Sequence, residues 1–202
     1  LIAANVLASL YAWLNPAFLM SNVFDIAAIR EKREWHRLVT SGFLHLNTFH
    51  LFINMFVLFQ FGAVVETTIG TAGFLIVYAA SLLGGNLWAL LENFRTPTYR
   101  ALGASGAVSG VVFSFCLFAP LTLLWIFFIL PLPAFVFAVL FIVISTILAQ
   151  RENRMFGHEA HIGGALAIGV FNTHGSAPSE ERRDLAGEIG QRCRLDGDGC
   201  ED

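Results

Sequence analysis

Long apolar runs separated by short charged gaps dominate the chain, and the gaps recur at about the thickness of a bilayer. No Lys or Arg occurs from residue 38 to residue 91, and no charged residue from 101 to 150. At about 20 residues per spanning helix, each of these stretches holds two spans. The pattern predicts six in all: residues 1–20, interrupted at Asn15-Pro16, then 48–65, 72–91, 103–120, 134–150 and a short sixth over 157–171. Residues 25–47 form a long connection in which Arg30, Glu31, Lys32, Arg33, Glu34 and Arg37 mix with Trp35, Phe43 and Leu44. That mixture suits the membrane interface, where Trp anchors. Glu66-Thr-Thr-Ile-Gly70 reads as a tight turn, Pro97 keeps residues 92–100 out of a helix, and 121–133 is an apolar connection too short and too Pro-interrupted for two more spans. The expected fold is an all-α membrane protein with one six-transmembrane-helix domain over residues 1–172. Residues 173–202, rich in Gly, Glu, Asp and Arg, are expected to form a polar, mobile tail. The chain starts at Leu1 already inside an apolar run, which suggests an N-terminal truncation.

Composition strengthens the membrane reading. Of 202 residues 56% are hydrophobic, 20 are Phe, and the mean hydropathy is +0.66, well above an ordinary globular domain. The net charge of −3 comes largely from the tail and no basic stripe exists, so a nucleic-acid partner is not expected and the lipid bilayer is. Cys116 lies in an apolar run as a packing residue. Cys193 and Cys200 sit in the tail, and three cysteines make no metal framework, so neither metal nor cofactor is expected.

The candidate chemistry lies where the fourth span begins. Ala101-Leu-Gly-Ala-Ser-Gly-Ala-Val-Ser-Gly110 has almost no side-chain bulk, which lets a neighbouring helix approach its backbone closely. Ser105 falls in the first turn of that span, beside backbone N–H groups that have no helical partner. Such a Ser is ordinarily a packing residue, bonded to a carbonyl of its own helix. Parity changes the weighting: the second, fourth and sixth spans start at the same face, and His50, Ser105 and His161 all lie in their first turn or two. At 1.5 Å per residue they share a depth of roughly 5–10 Å, and polar groups at that depth usually face a protein interior or a water cavity. A neutral imidazole can take the Ser hydroxyl proton, which makes His161 the candidate base. No carboxylate lies deep in a span to orient it, so the arrangement is a Ser-His dyad. His50 and Asn54, four apart on one helical face, and the Ser105 amide are candidate oxyanion donors. His158-Glu159-Ala160-His161 lacks the spacing of a zinc helix, and a charge-free pair of spans does not suit a transporter.

Gly103-Ala104-Ser105-Gly106 resembles the Gly-x-Ser-Gly motif of the rhomboid intramembrane serine proteases. His50-x-x-x-Asn54 and Ala160-His161-x-Gly163-Gly164 resemble their second- and sixth-helix motifs, and Glu34 to His45 resembles their first loop. The likeness runs from about Trp35 to Phe171. It implies a six-transmembrane-helix rhomboid-like bundle that hydrolyses a peptide bond in or near the transmembrane segment of a membrane-protein substrate. Ser105 is then the nucleophile, His161 the base, His50, Asn54 and the Ser105 amide the oxyanion site, and Gly103, Gly106 and Gly164 supporting positions. Two departures stand out: His36 takes the place of the family's frequent Trp before Arg37, and Ser109 stands where some members stack a Tyr on the base. Support for His161 must then come from elsewhere. A non-catalytic rhomboid-like chaperone or binding factor is the rival reading. His45 is expected to be structural, buried under the first loop, and Ser109 and Ser114 to be packing residues. The basic residues of the connections argue by the positive-inside rule for an active-site face in the cytosol. The family's common bacterial arrangement implies the outer face of a plasma (inner) membrane, which is the expectation adopted.

Overall fold

A computed structural model describes residues 1–126 and 130–149. Two helices open the chain, α1 (Ile2–Leu14) and α2 (Pro16–Asn22). Their break is set by one residue: Asn15 closes α1 with its backbone and caps α2 by accepting from the Phe18 amide at 3.1 Å, with Pro16 at the first helical position. The first span is therefore interrupted where Asn15-Pro16 predicts.

The connection that follows is compact. It holds β1 (Phe24–Asp25), α3 (Ile26–Lys32), α4 (Arg37–Thr40) and a 3-10 turn (Ser41–Phe43). Asp25 caps α3 by accepting from the Ala28 amide, and Arg33 ends it in a left-handed conformation at φ 59°. The buried guanidinium of Arg37 bonds the carbonyl oxygens of Met20 and Val23 at 2.9 and 2.7 Å and the Glu34 carboxylate at 2.6 Å. The first two of these bonds tie the end of α2 to α4, and Glu34 holds the guanidinium from within the connection. His36 lies 3.1 Å from the Ser21 carbonyl, so it fastens the same seam that Arg37 closes, while Trp35 stays exposed.

The second and third spans form one assigned helix, α5 (Thr48–Glu92), broken at a single non-helical residue, Gly70 (φ 77°, ψ 164°). The turn expected over Glu66–Gly70 is narrower than that range: residues 66–69 remain helical and the break lies at Gly70. The Thr67 and Thr68 hydroxyls donate to the Val64 carbonyl, and the reversal falls on Gly70, whose backbone other residues rarely adopt. Across the break the Thr71 hydroxyl donates to Glu66 at 2.8 Å. Each half, 48–69 and 71–92, rises about 33 Å, enough to cross a hydrocarbon core of about 30 Å. Among the described residues α5 alone passes the length and hydropathy test for a span, while α1 and α6 (Ser105–Phe118) are shorter apolar helices.

Both halves of α5 pack on α6. Leu51, Met55 and Leu58 from the first, Phe74, Val77 and Leu82 from the second, and Ala104, Ala107, Val108 and Val111 form one core. From Gly106 to Cys116 every residue of α6 is buried, as its small-residue character predicts. The outer face of α5 instead exposes Phe49, Phe52, Phe56 and Phe59, a surface that water would penalise and lipid accommodates. Residues 121–133, expected as a plain connection, contain a hairpin of β3 (Leu123–Ile126) and β4 (Leu130–Pro133) leading into α7 (Ala134–Ala149).

One clasp fixes which ends meet. β2 (Arg100–Ala101) pairs antiparallel with β1, Phe24 opposite Ala101 and Asp25 opposite Arg100. Asp25 accepts from Arg100 at 2.7 Å; burial alone would raise its carboxyl, but the Ala28 amide and Arg100 outweigh that and hold it below its usual range. Arg30 lies over the Phe94 ring at 4.2 Å and donates to its carbonyl at 2.7 Å. The 25–47 connection and the 92–100 loop thus stand at one face, with Thr68 at the far end of a span. Single cysteines replacing Arg33 and Thr98 should therefore label from one side of the membrane and a cysteine replacing Thr68 from the other. Labelling of positions 98 and 68 from the same side would exclude this topology.

Candidate active site

Ser105 is the first residue of α6 and half-buried. The chain reaches it through Gly103, at φ +135°, and Ala104, at φ −74° and ψ 0°. An L side chain rarely takes the Gly103 conformation, and space excludes one as well: a Cβ there would stand 2.7 Å from His50 Cε1 and 3.1 Å from His50 Nε2. The His50 imidazole therefore lies directly against the turn that presents Ser105. That ring is itself set by the start of α5, where Asn47 accepts from the His50 amide at 2.8 Å.

The start of α6 differs from the other capped helices. Asn15, Asp25 and Asn47 each occupy a first-turn amide of α2, α3 and α5, whereas the residue before Ser105 is Ala104, which has no side chain to do so. The amides of Ser105, Gly106 and Ala107 have no carbonyl one turn back. They are the donors that an oxyanion beside Ser105 would meet.

Asn54 is buried on the same face of α5 as Leu51 and Leu58, and its Nδ2 donates to the His50 carbonyl at 2.9 Å, which leaves its second N–H. Gly106 is buried in α6, and Ser109 donates to the Ser105 carbonyl at 2.7 Å, a helix-packing bond as expected. Ser114 is also buried. The structure thus brings His50 and the Gly103–Ser105 turn together. His158, His161, Gly163 and Gly164, and the tail over 173–202, lie outside the described residues.

His45 is buried under the first loop, as expected, at 1% exposure, but it also reaches the site. Its Nε2 accepts from the Ala104 amide at 3.4 Å, and its ring meets His50 edge-on with centroids 5.2 Å apart. Nδ1 lies 3.0 Å from the Ser9 hydroxyl, and the Trp13 indole donates to the His45 carbonyl at 2.7 Å. Burial, with a smaller push from His50, lowers the His45 imidazole to about 4, so it is neutral at physiological pH. Sequence reading passed over Ser9 and Trp13. The available signal was spacing: Asn5, Ser9 and Trp13 stand four apart in an otherwise apolar helix.

Comparison with known proteins shows the family. The Rhomboid domain model matches residues 32–173. The chain is 27% identical to RHOMBOID-like protein 12, mitochondrial, of Arabidopsis thaliana, over 77% of this chain and 51% of that protein. It is 28% identical to the human Presenilin-associated rhomboid-like protein, mitochondrial, over 98% of this chain and 53% of that one, and 30% identical to the mouse protein of the same name, over 79% and 43%. The chain spans about half the length of the curated relatives it matches. Their mitochondrial names give no support to the expectation of a plasma membrane. With a family match over most of its length and a Gly-Ala-Ser-Gly turn seated against His50, this membrane protein belongs to the rhomboid family.

Proposed function

We propose that the chain is an intramembrane serine protease that hydrolyses a peptide bond in or near the transmembrane segment of a membrane-protein substrate. The observation that carries this reading is the start of α6, where Ser105 follows a turn that only Gly103 fits, His50 packs on that turn, and the cap residue Ala104 has no side chain to take the first-turn amides. Ser105 Oγ attacks the scissile carbonyl while His161 takes its proton and passes it to the leaving amine. The developing oxyanion is met by the Ser105 amide and by side-chain donors of His50 and Asn54, each such donor contributing about 2.7–4 kcal/mol to the transition state. Water then cleaves the acyl-enzyme and returns the proton to Ser105. We read residues 1–172 as a six-helix rhomboid-like bundle, 173–202 as a polar tail, and the partners as a transmembrane substrate and the bilayer, with no metal or cofactor. The names of the relatives favour a mitochondrial membrane over the plasma membrane.

Incubation of the purified protein with a tagged single-span substrate tests the reading. Cleavage by the parent chain and none by Ser105→Ala is expected; an intact substrate with both would favour a non-catalytic, substrate-binding family member. Selectivity follows from the site's depth, because a substrate backbone locked in helix hydrogen bonds must open before attack. Segments with Gly or Pro near their outer end should be cut faster than poly-Leu segments, and equal rates would mean that helix opening is not limiting.

A further inference from the structure

We propose that His45, fixed in a single tautomer by Ser9 of α1, is a positioning residue that sets the turn presenting Ser105; this rests on Ser105 being the nucleophile. The bond directions follow from the donors available. The Ala104 N–H can only donate, so His45 Nε2, 3.4 Å away, accepts and carries no proton. The one ring proton is then on Nδ1, 3.0 Å from Ser9 Oγ, and the Ser9 hydroxyl, having accepted it, donates its own proton to the Phe43 carbonyl at 3.1 Å. Every donor in this chain has an acceptor, and reversing any one bond leaves two protons facing each other. Ser9 and Ala104 are both fully buried and His45 nearly so, which keeps water from substituting for a member.

The consequence falls on two consecutive amides. The Gly103 N–H donates to the Ser41 carbonyl at 3.0 Å and the Ala104 N–H to His45, so both peptides before Ser105 are held by the first loop and neither by α6. His45 also backs the His50 ring, which in turn packs on Gly103. Through Ser9 and Trp13, α1 reaches the nucleophile turn without touching Ser105.

The full chain, in detergent or liposomes, carries the test with two readouts: the rate at which a fluorophosphonate labels Ser105, and kcat and KM on a single-span substrate. His45→Leu removes the acceptor at similar bulk, His45→Gln restores an acceptor and a donor, and Ser9→Ala removes the hydroxyl. His45→Leu is expected to lose at least about tenfold in labelling and kcat, with KM within about twofold. His45→Gln should recover most of this, and Ser9→Ala should fall between. Folded His45→Leu or Ser9→Ala chains that label at the parent rate, or His45→Gln as impaired as His45→Leu, overturn the proposal. Ring 15N shifts of His45, assigned by their loss in His45→Gln, report the tautomer without any activity: a proton on Nδ1 is expected, and one on Nε2 overturns it. A parent chain that neither labels nor cleaves, with Nδ1 protonated, instead counts against Ser105 as the nucleophile.

Discussion

Ser105→Ala and His161→Ala are each expected to lower cleavage by about 10^4-fold or more, and the double variant to lose no more than either. The physical reason is that a Ser hydroxyl attacks only as its proton leaves, so nucleophile and base form one unit and removing either removes both. A 10^4-fold loss corresponds to about 5.4 kcal/mol of barrier, more than the loss of a single hydrogen-bond donor explains. His158, three residues earlier in the sequence, provides the control. His158→Ala should keep most activity if His161 is the base, as proposed. The measurement is the initial cleavage rate of the four variants, each checked for folding by its thermal midpoint. An active His161→Ala beside a dead His158→Ala would reassign the base.

Gly103→Ala should rank next, with a loss of about 100-fold or more in kcat. Two costs coincide at this position. Alanine at φ +135° is strained by about 1–3 kcal/mol, and its Cβ would lie 2.7 Å from His50 Cε1. Relief requires the His50 ring or the turn to move by several tenths of an ångström. Both are in the candidate oxyanion site, where displacements near 1 Å cost about 100-fold. Gly62→Ala separates this from general damage: its Cβ would meet the Phe74 ring at 3.3 Å and Leu58 Cδ1 at 3.5 Å, and no part of the turn. That variant should lower the thermal midpoint modestly while kcat holds. Parent-like kcat in Gly103→Ala would show that the tight fit of His50 on this turn has no bearing on the reaction.

What the sequence made legible was whatever a local pattern encodes. Uninterrupted apolar runs placed both halves of α5 and the start of α6 within a few residues, and Asn15-Pro16 marked the break after α1. The turn expected over 66–70 is there but confined to Gly70, because Thr67 and Thr68 can satisfy a helix carbonyl and leave the reversal to one glycine. The hairpin over 123–133 was unreadable, since its run of Leu, Trp, Ile and Pro has no alternation. At the site, helical spacing placed His50 near the start of one span and Ser105 near the start of another, and the structure seats His50 against the turn before Ser105. The relay through Ser9 could not, because its partner is 36 residues away and only tertiary packing joins them.

The clasp between Asp25 and Arg100 also orders events during synthesis. Its partners are 75 residues apart, with both halves of α5 between them. As the chain emerges from the ribosome, β1 has nothing to pair with until the hairpin of α5 has been threaded and residue 100 has appeared. Contacts of such long separation form late, since closure of the intervening loop must come first. Only then can the Ser41 and His45 acceptors, already held by α1 and α5, meet the turn before Ser105. A nascent chain halted before Arg100 would therefore carry His50 in the membrane but no assembled nucleophile turn, and so stays inert toward the helices inserting beside it.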